Sequence, residues 1–278
     1  MKNSAKSEIW KAFHNNYFYL AIIVGCIIAM LDVVENAIAV DTFSKMPSVG
    51  GGFSGYSLFV RWIAVNNHTY GCSLFYTVWP VIAAMPYGWS YLKDRRTGFY
   101  NQCVSRSNIK EYYFSKYLAV FASGGFVVTF PVAVNLFANA LVCPYCVPLV
   151  TSKITGIFDG WFMSELFYSQ PWAFGFIWLG MNFLLGGVTA CLCLTTGTKL
   201  YYHFLVILMP FAVYYVTDVL YSMVGKLRYW EHMWSPLHLT RAACFNANPE
   251  WLLFGVISAL LLISFVLGYR QVVKNELV

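Results

Sequence analysis

Leu92-Lys93-Asp94-Arg95-Arg96-Thr97-Gly98-Phe99-Tyr100, continuing through Ser105-Arg106 to Lys116, is the densest charged stretch of an otherwise apolar chain. It separates the second and third of six hydrophobic runs, at about 17–40, 71–91, 116–141, 171–197, 201–224 and 251–269. Each run has roughly the 20 residues that a helix rising about 1.5 Å per residue needs to cross a bilayer core. Composition agrees: 59% of the 278 residues are hydrophobic and 11% are charged, with a mean hydropathy of +0.59. A water-soluble surface needs about 25% charged residues. The expected fold is an all-α polytopic membrane protein whose six-span domain covers residues 17–278 and leaves no room for a sizeable soluble domain. The first run is too long for the apolar core of a signal peptide, and no small-residue cleavage site follows it, so it is read as a retained span.

Lysine and arginine set the orientation. With the N-terminus in the cytoplasm, twelve of the eighteen Lys and Arg fall on cytoplasmic segments, six of them between Lys93 and Lys116. Both termini are then cytoplasmic, and the charged stretch lies on the inner face. The net charge of +6 follows from this bias, and attraction to anionic lipid accounts for it without nucleic acid.

Residues 1–16 are polar and basic, with Ile9 and Phe13 near helical spacing, which predicts an interfacial helix with its apolar side in lipid. Outer segments are expected at 41–70, 143–170 and 225–250. Pro80 and Pro86 predict bends in the second span, each leaving a carbonyl in need of another partner. Gly124-Gly125 and Pro131 are expected to interrupt the third span, and Gly175, Gly180, Gly186 and Gly187 to allow close helix contact in the fourth. In the last outer segment, Leu227, Trp230, Trp234 and Leu237 form an apolar stripe that suits a helix lying on the outer leaflet or dipping into it.

Within the charged connector, Leu92, Phe99, Tyr100, Cys103 and Val104 recur near the helical period. Residues 92–106 are therefore expected to form one short helix across the inner face. Asp94, Arg95 and Gly98, then Ser105-Arg106, then Lys116 opening the third span, together with Ser235-Pro236-Leu237, resemble the membrane subunits of ABC-2-type ATP-binding-cassette transporters. Asp94 stands where that family more often has Glu, and Lys274-Asn275-Glu276 replaces its basic residue followed by Asp.

The resemblance implies a permease subunit of an exporter in a bacterial cell membrane. Its cargo would be amphipathic: a lipid, a peptide or a drug-like molecule. Residues 92–106 become a coupling helix, with Arg95, Arg96 and Arg106 as charged contacts, Phe99 and Tyr100 as apolar anchors, and Gly98 between them. No phosphate-binding glycine loop precedes Gly197-Thr198-Lys199, so ATP and Mg are expected on a separate cassette ATPase, with no cofactor in this chain. A second permease chain, identical or paralogous, completes the expected assembly.

Asp32 and Glu35 share a helix face, and Asp218 lies at similar depth in the fifth span. Two readings stay open: an acidic outer vestibule favouring cationic or zwitterionic cargo, or structural pairing with Arg61, Arg228 or Arg241. Cys143 and Cys146 form a C-x-x-C on the outer face, either disulfide-bonded, within the pair or to Cys72 or Cys244, or free. The histidines are dispersed and no motif for metal or nucleophilic catalysis stands out, so the chain is expected not to be an enzyme. The alternatives are an energy-independent channel, another six-span transporter component, or an integral-membrane enzyme.

Overall fold

The computed structural model describes residues 2–44, 57–66, 68–106, 109–148, 157, 163–197, 200–228, 237, 240–242, 259 and 261–270. Among them the secondary structure is helical, with no strand. The helices are α1 (Lys2–Phe13), α2 (Asn16–Ser44), α3 (Leu58–Arg61), α4 (Tyr70–Ala84), α5 (Ser90–Arg96), α6 (Phe99–Arg106), α7 (Ile109–Val142), α8 (Ser164–Ser169), α9 (Pro171–Thr196), α10 (His203–Arg228) and α11 (Leu261–Arg270).

Four helical stretches are long and apolar enough to cross a membrane: Asn16–Ala39, Ile109–Val142, Pro171–Thr196 and His203–Leu220. Two further apolar helices, α4 and α11, are shorter. The 15 residues of α4 reach only about 22 Å at ~1.5 Å per residue. The cause is Pro86, which has no N–H to continue the ladder. Helical bonds resume beyond it, Gly88 N–H to Ala84 O at 3.1 Å and Lys93 N–H to Trp89 O at 3.2 Å, and lead into α5. Side chains serve the carbonyls of the bend: Asn15 Nδ2 donates to Pro86 O at 2.9 Å and Trp89 Nε1 to Met85 O at 3.2 Å. Residues 251–258 and 260 of the sixth expected span lie outside the described residues.

The spine of the bundle is α7, which packs on α9, α2, α1 and α4. It is one unbroken helix of 34 residues, so Gly124-Gly125 and Pro131 do not interrupt it. The glycines instead let α9 approach. A Cβ on Gly124 would lie 2.3 Å from Ala190 Cβ, and one on Gly187 would lie 2.6 Å from the Phe121 ring. Gly186 meets Gly124 from the other side, whereas nothing stands within 4 Å of Gly180. The ring of Pro131 fills the space above Gly25 of α2.

The apolar side of α1 packs along α7, with Ile9, Ala12 and Phe13 turned into the protein. Trp10 points outward and stacks on His14. Between α10 and α11 the described residues 237 and 240–242 lie in the bundle. Leu237, Thr240 and Ala242 are buried, and the indole N–H groups of Trp79 and Trp178 hold Leu237 O at 3.4 Å and Thr240 O at 3.1 Å. Of the expected apolar stripe, Trp230 and Trp234 lie outside the described residues, and Leu237 is buried against the protein.

Gly124→Val is expected to lower stability by about 1–3 kcal/mol through overpacking against α9, read as a drop in thermal unfolding temperature in detergent. Gly180→Ala, with open space around it, should leave the temperature unchanged or raise it slightly.

Candidate functional site

Two buried polar clusters sit towards opposite ends of α7. They are centred on Lys116 and Asn135, about 28 Å apart at ~1.5 Å per residue.

At the first end, Lys116 is 1% exposed. Its ammonium bonds the Asp94 carboxylate from α5 and lies 3.5 Å from the Glu8 carboxylate of α1. The rings of Tyr87 and Tyr112 flank it at 5.4 and 5.2 Å. Tyr112 Oη donates to Asp94 Oδ2 at 2.7 Å and Tyr87 Oη to Glu8 Oε2 at 2.9 Å, while Lys11 Nζ donates to Glu8 Oε1 at 2.8 Å. Two carboxylates and two ammonium groups thus balance in one site that joins α1, α5 and α7. Burial pushes the Glu8 carboxyl up, but Lys116, Lys11 and Tyr87 outweigh it and hold the carboxyl below its usual value. Burial likewise disfavours the Lys11 ammonium, and Glu8 more than reverses that.

The charged connector hangs from this cluster. It is two helices rather than the single helix expected over 92–106, because α5 ends at Arg96 and Gly98 takes φ +73° before α6 begins. Lys93, Arg95 and Arg96 in the last turn, followed by Thr97-Gly98, are a helix-stop pattern that the periodicity of the flanking apolar residues overshadowed. Arg95 and Arg96 are exposed on the elbow. The two expected apolar anchors separate. Phe99 stays at the surface with Lys11 Nζ 5.1 Å from its ring centroid. Tyr100 is buried between Tyr91 and Tyr112, with ring centroids 5.9 and 5.4 Å away, and so belongs to the core. The side chain of Arg106 lies outside the described residues.

At the other end, Asp32 is completely buried. Its Oδ2 accepts from Asn36 Nδ2 at 3.2 Å and Asn135 Nδ2 at 2.8 Å. Its Oδ1 accepts from Thr69 Oγ1 and, at 3.5 Å, from Asn66 Nδ2. Asn135 is also saturated: it donates to Ala29 O at 2.8 Å and accepts from Ile63 N–H at 3.0 Å and Asn139 Nδ2 at 2.9 Å. The vestibule reading therefore does not suit Asp32, whose oxygens are enclosed, and its bonded partners are neutral amides and a hydroxyl rather than arginines. Glu35 has a different role, accepting from the N–H groups of Tyr70 at 2.7 Å and Gly71 at 3.5 Å at the start of α4. A carboxylate there meets the positive end of the helix. Asp218 is half-buried on α10, and the cage around Asp32 is built without it. Cys143 is buried and Cys146 exposed, and both are free thiols, so the C-x-x-C is not bridged.

No family model matches the chain, and no curated protein matches it either.

Removing the buried cation of the first cluster by Lys116→Met leaves two carboxylates with Lys11, bonded to Glu8, as the one remaining ammonium of the site. The expected cost is about 3–5 kcal/mol, seen as a large drop in unfolding temperature in detergent. The Glu8 contribution is present above its ordinary value of 4.5 and is lost as pH falls through the lowered folded value. Stability should fall in the acid range below about pH 4.5, and Glu8→Gln should flatten that part of the profile.

Proposed function

We propose that this chain is the permease subunit of an ATP-binding-cassette exporter that moves an amphipathic substrate. A lipid, a peptide and a drug-like molecule all fit that description. ATP is bound with Mg and hydrolysed on separate ATPase subunits, and a second permease chain completes the route. In this reading the six spans are α2, α4 with the bend that follows it, α7, α9, α10 and the run that ends in α11. The protein sits in the cell membrane with α1, α5, α6 and both termini on the cytoplasmic side.

One observation carries the reading. An exposed cationic elbow, Arg95-Arg96-Thr97-Gly98-Phe99, is fixed through Asp94 to Lys116 on the longest helix of the bundle. A surface loop that only set orientation would need no buried ionic attachment to a membrane helix. An elbow pushed by a partner does need one, because force applied to a loose loop is lost in bending the loop. The anchoring also ties in α1, so a load on the elbow reaches two elements besides its own.

The test asks whether a cassette ATPase is encoded beside the gene and co-expresses the two. Wild-type permease should co-purify with that ATPase and change its rate of ATP hydrolysis. Arg95→Glu/Arg96→Glu should cut capture by about tenfold or more and abolish the rate change while membrane yield stays constant. Equal capture by the double variant would sink the proposal.

A further inference from the structure

Between α10 and α11, the described residues 237 and 240–242 are fixed in the bundle by their backbone, while two of their polar side chains are left unsatisfied. Three bonds pin the backbone: Trp79 Nε1 to Leu237 O, Trp178 Nε1 to Thr240 O, and Ala242 N–H to Ala64 O at 2.9 Å. Between the pins, Thr240 is completely buried, yet its Oγ1 has no hydrogen-bond partner among the described residues. The Nε of Arg241 is buried and equally unmatched. The guanidinium lies over the ring of Tyr76, 4.9 Å from its centroid, and forms no ion pair among the described residues. One turn along α9 from Trp178, the fully buried Asn182 donates its Nδ2 to Trp178 O at 2.9 Å while its Oδ1 goes unmatched.

Buried polar atoms in native proteins are nearly always matched, so two unmatched ones on adjacent residues of this segment, with a third on Asn182 of α9, point to a ligand. The donors here are a guanidinium and a hydroxyl. A guanidinium offers a planar fork of N–H groups suited to carboxylate and phosphate oxygens. The surroundings, Tyr76, Trp79 and Trp178, are apolar and aromatic. Two of the acidic groups that sequence alone suggested for cargo contact are engaged elsewhere: Asp32 is saturated by four donors and Glu35 accepts from the start of α4.

We propose that Arg241 and Thr240 form a recognition point for the anionic head, phosphate or carboxylate, of an amphipathic molecule, with Tyr76 holding the guanidinium in place. This rests on the transporter reading and narrows its cargo from amphipaths in general to those with an anionic head. The head has two possible sources, a cargo or lipid amphipath and a free anion in solution, and the probes below separate them.

The experiment uses the full chain purified in a neutral detergent, without ATPase, so a failed coupling test and a failed binding test are read independently. Dodecyl phosphate, dodecanoate and inorganic phosphate are titrated by isothermal calorimetry. Wild type should bind dodecyl phosphate and dodecanoate at least tenfold more tightly than inorganic phosphate. Arg241→Gln should weaken both by about tenfold or more, and Arg241→Lys should retain part of the affinity. Thr240→Val should weaken binding while leaving the unfolding temperature near wild type, which separates recognition from folding. Unchanged affinity in Arg241→Gln, or no binding of either amphipath to wild type, would overturn the assignment. Inorganic phosphate binding as tightly as dodecyl phosphate would also overturn it, as the mark of a free-anion site.

Discussion

An ammonium group out of contact with water, on a helix long and apolar enough to cross a membrane, is the constraint on which the rest depends. Lys116 cannot be buried alone, because an isolated charge in a low-dielectric interior is prohibitively costly. It needs counter-charges, and neither comes from its own helix. Asp94 arrives from α5 and Glu8 from α1. The chain must therefore bring its N-terminal helix and its charged connector to the same level of α7. Tyr87 and Tyr112 complete the site with one hydroxyl for each carboxylate.

The remaining architecture follows from α7 being held at both ends. At the far end, Asp32 of α2 is enclosed by Asn36, Asn66, Thr69 and Asn135, which ties α2, α7 and the approach to α4 together. Between the two polar clusters the contacts are small and dry: Gly124 and Gly186 of α7 and α9 meet backbone to backbone, and Pro131 sits on Gly25. A helix clamped by charge at one end and by amides at the other, and packed closely in between, suits transmission as a rigid rod. The connector gains direction from this. Its elbow faces out through Arg95 and Arg96, and its root is Asp94.

Much of this was legible in the sequence, for identifiable reasons. Apolar runs are averages over many residues, so the helical class survives local error. What escaped depends on single partners far apart in the chain. Glu8 reads as an ordinary polar residue of a basic segment, and only its spacing of three from Lys11 hinted at a pairing. Asn135 and Asn139 are four apart, as are Asp32 and Asn36, a spacing that puts each pair on one helix face and marks it as a buried polar seam. The bent α4–α5 unit was foreshadowed by Pro86, but the break at Gly98 was masked because Leu92 and the Phe99–Val104 group share one helical period without sharing one helix. Tyr100 likewise looked like a surface anchor because its period put it beside Phe99, and only the position of Tyr112 shows that it turns inward.

The central claim is that the elbow acts on the membrane helices through Asp94, and Asp94→Asn tests it most directly. The variant keeps an acceptor for Tyr112 and leaves Arg95 and Arg96 in place, so docking and transmission come apart. With ATPase capture and permease-dependent ATP hydrolysis measured on the same preparation, the account predicts wild-type capture with a markedly reduced effect on hydrolysis. Capture and hydrolysis both at wild-type levels would contradict it, because force would then reach α7 without the bond on which the account depends.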